Sequence, residues 1–307
     1  MIPTHEDVER ARAVLAGRIH RTPTFGSTAL GVSLKAELFQ KTGSFKARGA
    51  LNRVAALTRE ERQRGVVTWS AGNHAQAVAW AAREEGVDCL VQMWEGVDPL
   101  KVEVTRGFGA MVDLSSPDPA AAYDRTLAVV EEAGRVFVHP HSDLQVVAGH
   151  GTLALELLED VPDLETVVVG TGGGGLVSGI VTALDGRARV IGVAPERAQA
   201  FPAGLAAGHS VPVETDTIAD GLAPPFAGEL PIEICQGRVE TVLVTEDEIA
   251  DGMRFLYARA KLACEPAGAA AAGAVLAGKV DSGRNVAVIV SGGNVEPKLA
   301  AAILREQ

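Results

Sequence analysis

A chain of 307 residues is long enough for a large buried core and two lobes. Its formal net charge of -11 comes from 28 basic against 39 acidic residues, which argues against nucleic acid or an anionic membrane as a partner. Hydrophobic residues make up 47 %, ordinary for a soluble globular protein with a helical bias, and the three cysteines, Cys89, Cys235 and Cys264, are isolated with no C-x-x-C pair, which argues against a disulfide framework or zinc site and points to a reducing cytoplasm.

The first residues, MIPTHEDVERARAVLAG, interleave acids and arginines with apolar positions and predict an amphipathic helix, not a signal peptide. Val66–Trp69 reads as a strand, Ala75–Glu85 as a helix, Cys89–Met93 as a strand and Leu100–Gly107 as a helix. Ala110–Leu114 then reads as a strand, Ala120–Ala133 as a helix, and Val136–His139 as a strand. The alternation resumes with strand Thr166–Val169, helix Leu176–Leu184 and strand Ala188–Val193. It continues through Thr241–Val244, the helix Glu246–Ala260 and the strand Asn285–Val290. The most apolar stretch, Leu262–Gly278, is interrupted by Glu265 and Pro266 and is too short to span a bilayer. Valine-rich strands with helical returns predict an α/β fold of mostly parallel, doubly wound sheets. Ligands in such folds sit beyond the carboxyl ends of the strands, so the strand-to-helix loops are where function is sought.

Three such loops stand out. Ser70-Ala71-Gly72-Asn73-His74 enters a helix, and its amides and polar side chains suit either an anion or ordinary N-capping. Gly170-Thr171 is followed by Gly172, Gly173, Gly174 and Gly175 and then by the helix from Leu176. Four glycines in a row are costly in conformational entropy and fit backbone wrapped closely on a phosphate; the alternative is a flexible turn. No Lys-Ser/Thr follows as in a Walker loop, and no dinucleotide fingerprint is matched. Ser291-Gly292-Gly293-Asn294 reads on its own as a simple turn. Lys46 follows the Gly43-Ser44-Phe45 turn, which suggests an inward-directed lysine able to form a Schiff base, where a lone lysine is ordinarily a solvated charge.

The segments Lys35–Gln40 and Thr42–Lys46, then SAGNHAQ, AGHGTLALE, GGGGL, TIADGLA at 217–223, EPAGA at 265–269 and SGGNV at 291–295 occur in one order along nearly the whole chain. That ordered set resembles the serine/threonine dehydratase and serine racemase family, pyridoxal-phosphate (PLP) enzymes of the tryptophan-synthase-β fold. The resemblance implies that Lys46 carries the cofactor, that Phe45 packs near its ring and that Asn73 bonds its 3-hydroxyl. It implies that Gly172, Gly173, Gly174, Gly175 and the Leu176 amide hold the phosphate, and that Ser291 contacts the pyridine nitrogen. Ser70, Asn73, His74 and nearby amides would receive the substrate carboxylate. A neutral hydroxyl at Ser291, where a carboxylate would keep the pyridine protonated, favours expulsion of a β-leaving group over transamination.

The implied architecture is two lobes, residues 1–64 with 141–307 and an inserted lobe 65–140, with PLP between them and a homodimer as the assembly. The implied reaction is loss of water and ammonia from L-threonine or L-serine. A serine- or aspartate-type racemase, a 3-hydroxyaspartate dehydratase and a non-catalytic PLP-binding regulator are the alternatives. Ala71 stands where racemases of the family resemble one another in carrying a second serine, which favours the dehydratase. Within residues 193–200, alanines stand where relatives place the carboxylates that bind a divalent cation, a glutamate before the proline (here Ala194, before Pro195) and an aspartate a few residues later, so no metal site is expected, and Glu196 reads as a surface residue. His141 and His150 either read an unusual substituent, such as a second carboxylate, or are structural. Trp94 stands where relatives carry proline and has no reading. The chain ends soon after Val295, so no C-terminal regulatory domain is expected.

Overall fold

A computed structural model describes residues 2–283 and 285–305. Its ten strands are β1 Thr24–Ser27, β2 Val32–Ala36, β3 Val66–Trp69, β4 Cys89–Trp94, β5 Met111–Ser116, β6 Val136–Phe137, β7 Thr166–Gly170, β8 Arg189–Pro195, β9 Glu240–Val244 and β10 Val286–Val290. They form two sheets. One has the order β1-β2-β10-β7-β8-β9 and the other β5-β4-β3-β6. Every pairing is parallel except the β1–β2 hairpin. β7 and β10 are buried at every position, which is why they read as unbroken apolar runs instead of alternating ones.

Each sheet owns a core. Around β3 and β4 the buried set includes Val66, Val91 and Met93, and it also takes in Ala47, Leu51 and Val54 from the helix Lys46–Ala55 and Leu15 from the first helix. The larger sheet is covered on one side by the helix Pro266–Leu276 and on the other by the helices Leu144–Asp160 and Gly175–Leu184.

The helix Leu144–Asp160 lies between the lysine-bearing helix and the helix that follows the glycine loop. Its close approaches are made through glycine. A methyl on Gly149 would fall 2.7 Å from the Gly49 Cα, and one on Gly151 would fall 2.6 Å from the Gly179 carbonyl oxygen. The AGHGT segment therefore sets how near the two neighbouring helices can stand.

The sequence expectations differ from the structure mainly at edges. The strand expected over Val136–His139 stops at Phe137. The helix expected over Glu246–Ala260 is α-helical to Phe255, then turns into a π-helical turn over Leu256–Ala260. Trp94 ends β4 beside a register shift against β5. Among the described residues no helix is long and apolar enough to cross a membrane.

Candidate active site

Lys46 opens its helix directly after Phe45, and its Nζ donates to the Pro140 carbonyl at 2.7 Å. It sits 5.2 Å from the centre of the Phe45 ring. Burial pushes its pKa down to about 8, because a low-dielectric surrounding penalises the ammonium. The segment is fastened to the third loop: the Phe45 amide donates to Ser291 O at 3.1 Å and the Gly293 amide to Gly43 O at 3.0 Å. What read as a simple turn is thus the seat of the lysine. Ser291 itself is buried at the end of β10.

Asn73 lies at the crossing of both sheets' loops. Its Nδ2 donates to Glu265 Oε1 at 2.7 Å, and its Oδ1 accepts from Asn294 Nδ2 at 2.7 Å. Asn294 also donates to Thr42 O at 2.7 Å. The Glu265 carboxyl is buried, and burial, helped by the charge of Asp220 and opposed by the Asn73 hydrogen bond, raises its pKa to about 8. Ser70 Oγ accepts from the Gly72 amide at 3.1 Å, leaving its own O–H free to donate. The His74 ring turns away from that loop: Nε2 meets the Val138 carbonyl at 2.9 Å and Nδ1 is buried without a partner.

The helices Asn73–Glu85 and Gly175–Leu184 both start from a glycine N-cap with no side-chain cap. Elsewhere Thr4, Asp143 and Thr245 cap their helices by side chain. Among the described residues the amides of Asn73, His74 and Ala75, and those of Gly172 to Leu176, donate to no protein oxygen. The glycine loop is closely walled. A methyl on Gly172 would fall 2.9 Å from the Leu222 Cα, and one on Gly173 would fall 2.4 Å from His141 Nδ1. Gly174 has φ +90, and a methyl there would fall 2.6 Å from the Pro231 Cβ. His141 therefore backs the glycine loop while flanking Pro140, the residue that holds the lysine amine.

The family model described as pyridoxal-phosphate dependent enzyme matches residues 15–292. The chain belongs to the pyridoxal-phosphate-dependent enzyme family. The L-threonine ammonia-lyase of Thermotoga maritima is 42 % identical over 315 residues, covering 99 % of this chain and 78 % of that one. The catabolic L-threonine dehydratase of Escherichia coli (strain K12) is 39 % identical over 95 % of this chain and 93 % of its own. The solved structure of maize serine racemase superposes with a TM-score of 0.93 at 34 % identity, covering 98 % and 97 % of the two chains.

The residues present fit the family's cofactor. A row of undonated amides at a helix N-terminus suits a phosphate. A buried amine with a lowered pKa suits a nucleophile for an aldehyde. Both lie around His141 and Pro140, and Ser291 is tied to the lysine segment through its carbonyl.

Two groups had no assigned role in the sequence. Glu265 counted as an interruption of an apolar stretch and as the first residue of the EPAGA segment, with no role of its own; a lone acid among small apolar residues was the signal. The second is a buried ionic cluster. Arg48 Nε and Nη2 donate to Glu37 at 2.8 Å each, Arg48 Nη1 donates to Glu156 at 2.7 Å, and Lys35 Nζ donates to Glu156 at 2.6 Å. Burial disfavours these charges, but Arg48 outweighs it at Glu37 and holds that carboxyl below its ordinary range. Of the two histidines held open, His150 is wholly buried, accepts from the Gly49 amide at 3.2 Å and meets the Phe45 ring edge-on at 4.8 Å. That is a bracing position. Glu196 lies on the surface, 4.0 Å from Lys279.

Proposed function

We propose that the chain is an ammonia-lyase that removes water and ammonia from a small β-hydroxy amino acid, L-threonine or L-serine, to give the 2-oxo acid. The observation that carries this reading is the Lys46 amine, held on the Pro140 carbonyl with its pKa lowered to about 8. A lysine so placed is neutral in a useful fraction near physiological pH and serves as a general base toward an α-proton.

Pyridoxal phosphate, when bound, supplies the electron sink that acidifies the substrate's α-carbon. The protein's residues do the rest. The amides of Gly172 to Leu176 would hold its phosphate, Phe45 would pack beside the ring, Asn73 would hydrogen-bond its 3-hydroxyl and Ser291 would meet its nitrogen. The Ser70 hydroxyl and the amides of Asn73, His74 and Ala75 receive the substrate carboxylate; His74 acts here through its backbone, since its ring is engaged with Val138. Lys46 takes the α-proton, and the β-hydroxyl picks up a proton as it departs and leaves as water; the released enamine tautomerises to the imine, which takes up one water to give the 2-oxo acid and ammonia.

Two observations support a dehydratase over the alternatives. Ala71 offers only a methyl, so the face opposite Lys46 gains no proton donor from that position. Burial first, and then neighbouring positive charge, keeps His74, His139 and His141 neutral, so none provides a cation for a second substrate carboxylate. We place the enzyme in a reducing cytoplasm, supported by three free buried cysteines, and propose a homodimer. We also place the smaller lobe at residues 65–140, its core completed by the helix Lys46–Ala55.

The test is release of 2-oxo acid from L- and D-serine, L- and D-threonine and 3-hydroxyaspartate. Turnover of L-threonine or L-serine is expected. Interconversion of serine enantiomers without 2-oxo acid, or turnover of hydroxyaspartate alone, would overturn the reading.

A further inference from the structure

Phe, Trp and Tyr make up only 4 % of the chain. Four of them nevertheless meet with two imidazoles in a closed circuit beside the lysine amine. Phe226 stacks nearly parallel to Trp69, with centres 6.2 Å apart and planes at 12°. Trp69 meets Tyr123 edge-on at 5.1 Å, and Tyr123 meets Phe137 at 6.2 Å. Phe137 leans on His139 at 5.1 Å, His139 on His141 at 4.6 Å, and His141 returns to Phe226 at 6.1 Å. The Pro140 carbonyl that holds Lys46 lies between the last two imidazoles in sequence, and Trp69 immediately precedes Ser70.

Building on the dehydratase reading, the geometry restricts where a substrate side chain can go. The α-carbon must lie within reach of the Lys46 amine, and the carboxylate goes to the Ser70 loop. The third substituent is then bounded by Trp69, His141 and the ring they share, Phe226. Trp69 and His141 are buried, whereas Phe226 and Tyr123 remain partly exposed, so Phe226 stands at the accessible edge of the cluster. Within this apolar wall, Trp69 Nε1 and His141 Nε2 are buried without a protein partner. Native buried polar groups are nearly always paired, so two orphaned nitrogens in one ring cluster point to a ligand group that can both donate and accept. A hydroxyl on a short carbon frame has that chemistry. A carboxylate would be desolvated against neutral rings without a counter-charge.

We propose that the ring circuit is the side-chain subsite of the enzyme, and that Phe226 sets its size limit. It admits a β-hydroxyl accompanied by hydrogen or methyl and turns away β-hydroxy amino acids with a bulky β-substituent. Trp69 backs the Phe226 face, so shortening Phe226 opens the subsite without moving the lysine.

The experiment compares wild-type holoenzyme with Phe226→Ala and Phe226→Leu on L-serine, L-threonine and L-threo-3-phenylserine, reading kcat/KM from 2-oxo acid release and the melting temperature of each variant. A methylene-sized change in such a wall shifts selectivity by about 10- to 200-fold. Phe226→Ala is expected to move the phenylserine-to-threonine ratio of kcat/KM upward by at least about 10-fold, with Phe226→Leu between it and wild type. A ratio that stays fixed while all three substrates lose activity together would overturn the proposal and leave Phe226 a packing residue. Titrating each protein with the same amino acids while following the absorbance of the bound cofactor reads selectivity independently of turnover. If wild type turns over neither serine nor threonine, the dehydratase reading falls; a binding preference that still shifts toward phenylserine in the variants would sustain the subsite, and an unshifted one would end it.

Discussion

Asn73 and Glu265 share a hydrogen bond, Nδ2 to Oε1 at 2.7 Å, that joins the loop after β3 of the smaller sheet to the segment entering a helix of the larger one. Glu265 is buried, and its pKa stands at about 8 against an ordinary 4.5, through burial first and the Asp220 charge second. At neutral pH it is mostly the uncharged acid. A raised folded-state pKa means that the stability tied to the proton is complete below about pH 4.5 and is lost as pH climbs toward 8. Glu265→Gln keeps an uncharged partner for Asn73 and removes the titration. Urea unfolding of both proteins at pH 5 and pH 8.5 should show the variant gaining on wild type by something on the order of 4 kcal/mol across that interval. Parallel profiles would mean that Glu265 does not titrate in this range.

Arg48 lies two residues after Lys46 and ties the lysine helix to Glu37 and Glu156, with Arg48 and Glu37 both wholly buried. Removing one member of a buried ion network leaves the others uncompensated, which costs roughly 3–5 kcal/mol. Arg48→Met should therefore lower unfolding stability by about that amount and weaken cofactor binding, since the helix that presents Lys46 loses its anchor. Arg48→Lys keeps the charge but loses the forked geometry, and should fall between. A loss below about 1 kcal/mol in Arg48→Met would show that the helix is held by packing alone.

Much of the fold was legible because its strands are buried on both faces and valine-rich; β3 was read at Val66–Trp69 to the residue. The β1–β2 hairpin was missed because TFGS and VSLKA carry no apolar run, and the Lys35 of β2 is a buried charge that pattern reading assigns to solvent. Lys46 and the four glycines were picked out as candidates through their local chemistry and the ordered resemblance. Glu265, Asn294 and the Arg48 cluster were not, because their significance depends on partners more than 100 residues away in sequence for Glu156, Glu265 and Asn294. The ring circuit was equally hidden: Trp69, Tyr123, Phe137 and Phe226 share no periodicity and meet only through the fold.

Gly174 offers a test of the proposed phosphate loop. Its φ of +90 disfavours any side chain, and a methyl there would also press on Pro231 at 2.6 Å and on the Phe201 ring at 2.8 Å. Gly208 ends another helix with φ +75 and open space around it, so Gly208→Ala carries only the backbone cost of about 1–2 kcal/mol. Gly174→Ala should be destabilised by more than Gly208→Ala and should raise the cofactor dissociation constant by at least about 10-fold, because the amides of Gly173 to Leu176 are displaced with it. Equal stability losses with unchanged cofactor affinity would separate this loop from phosphate binding.

Lys46 supplies the sharpest prediction, because in the proposed reaction its charge state sets both binding and rate. A base works only when neutral, and burial has brought its pKa to about 8 from 10.5. The rate at saturating substrate should therefore rise with pH up to about 8 and level off above it, instead of climbing to the pH of an ordinary lysine. Lys46→Ala should lose the visible absorbance of bound cofactor and lower turnover by about 10³-fold or more. Lys46→Arg should do the same despite keeping a cation, since a guanidinium does not give up its proton in this range. A Lys46→Ala protein that still turns over threonine, or a wild-type profile still rising beyond pH 10, would remove the lysine from the chemical step.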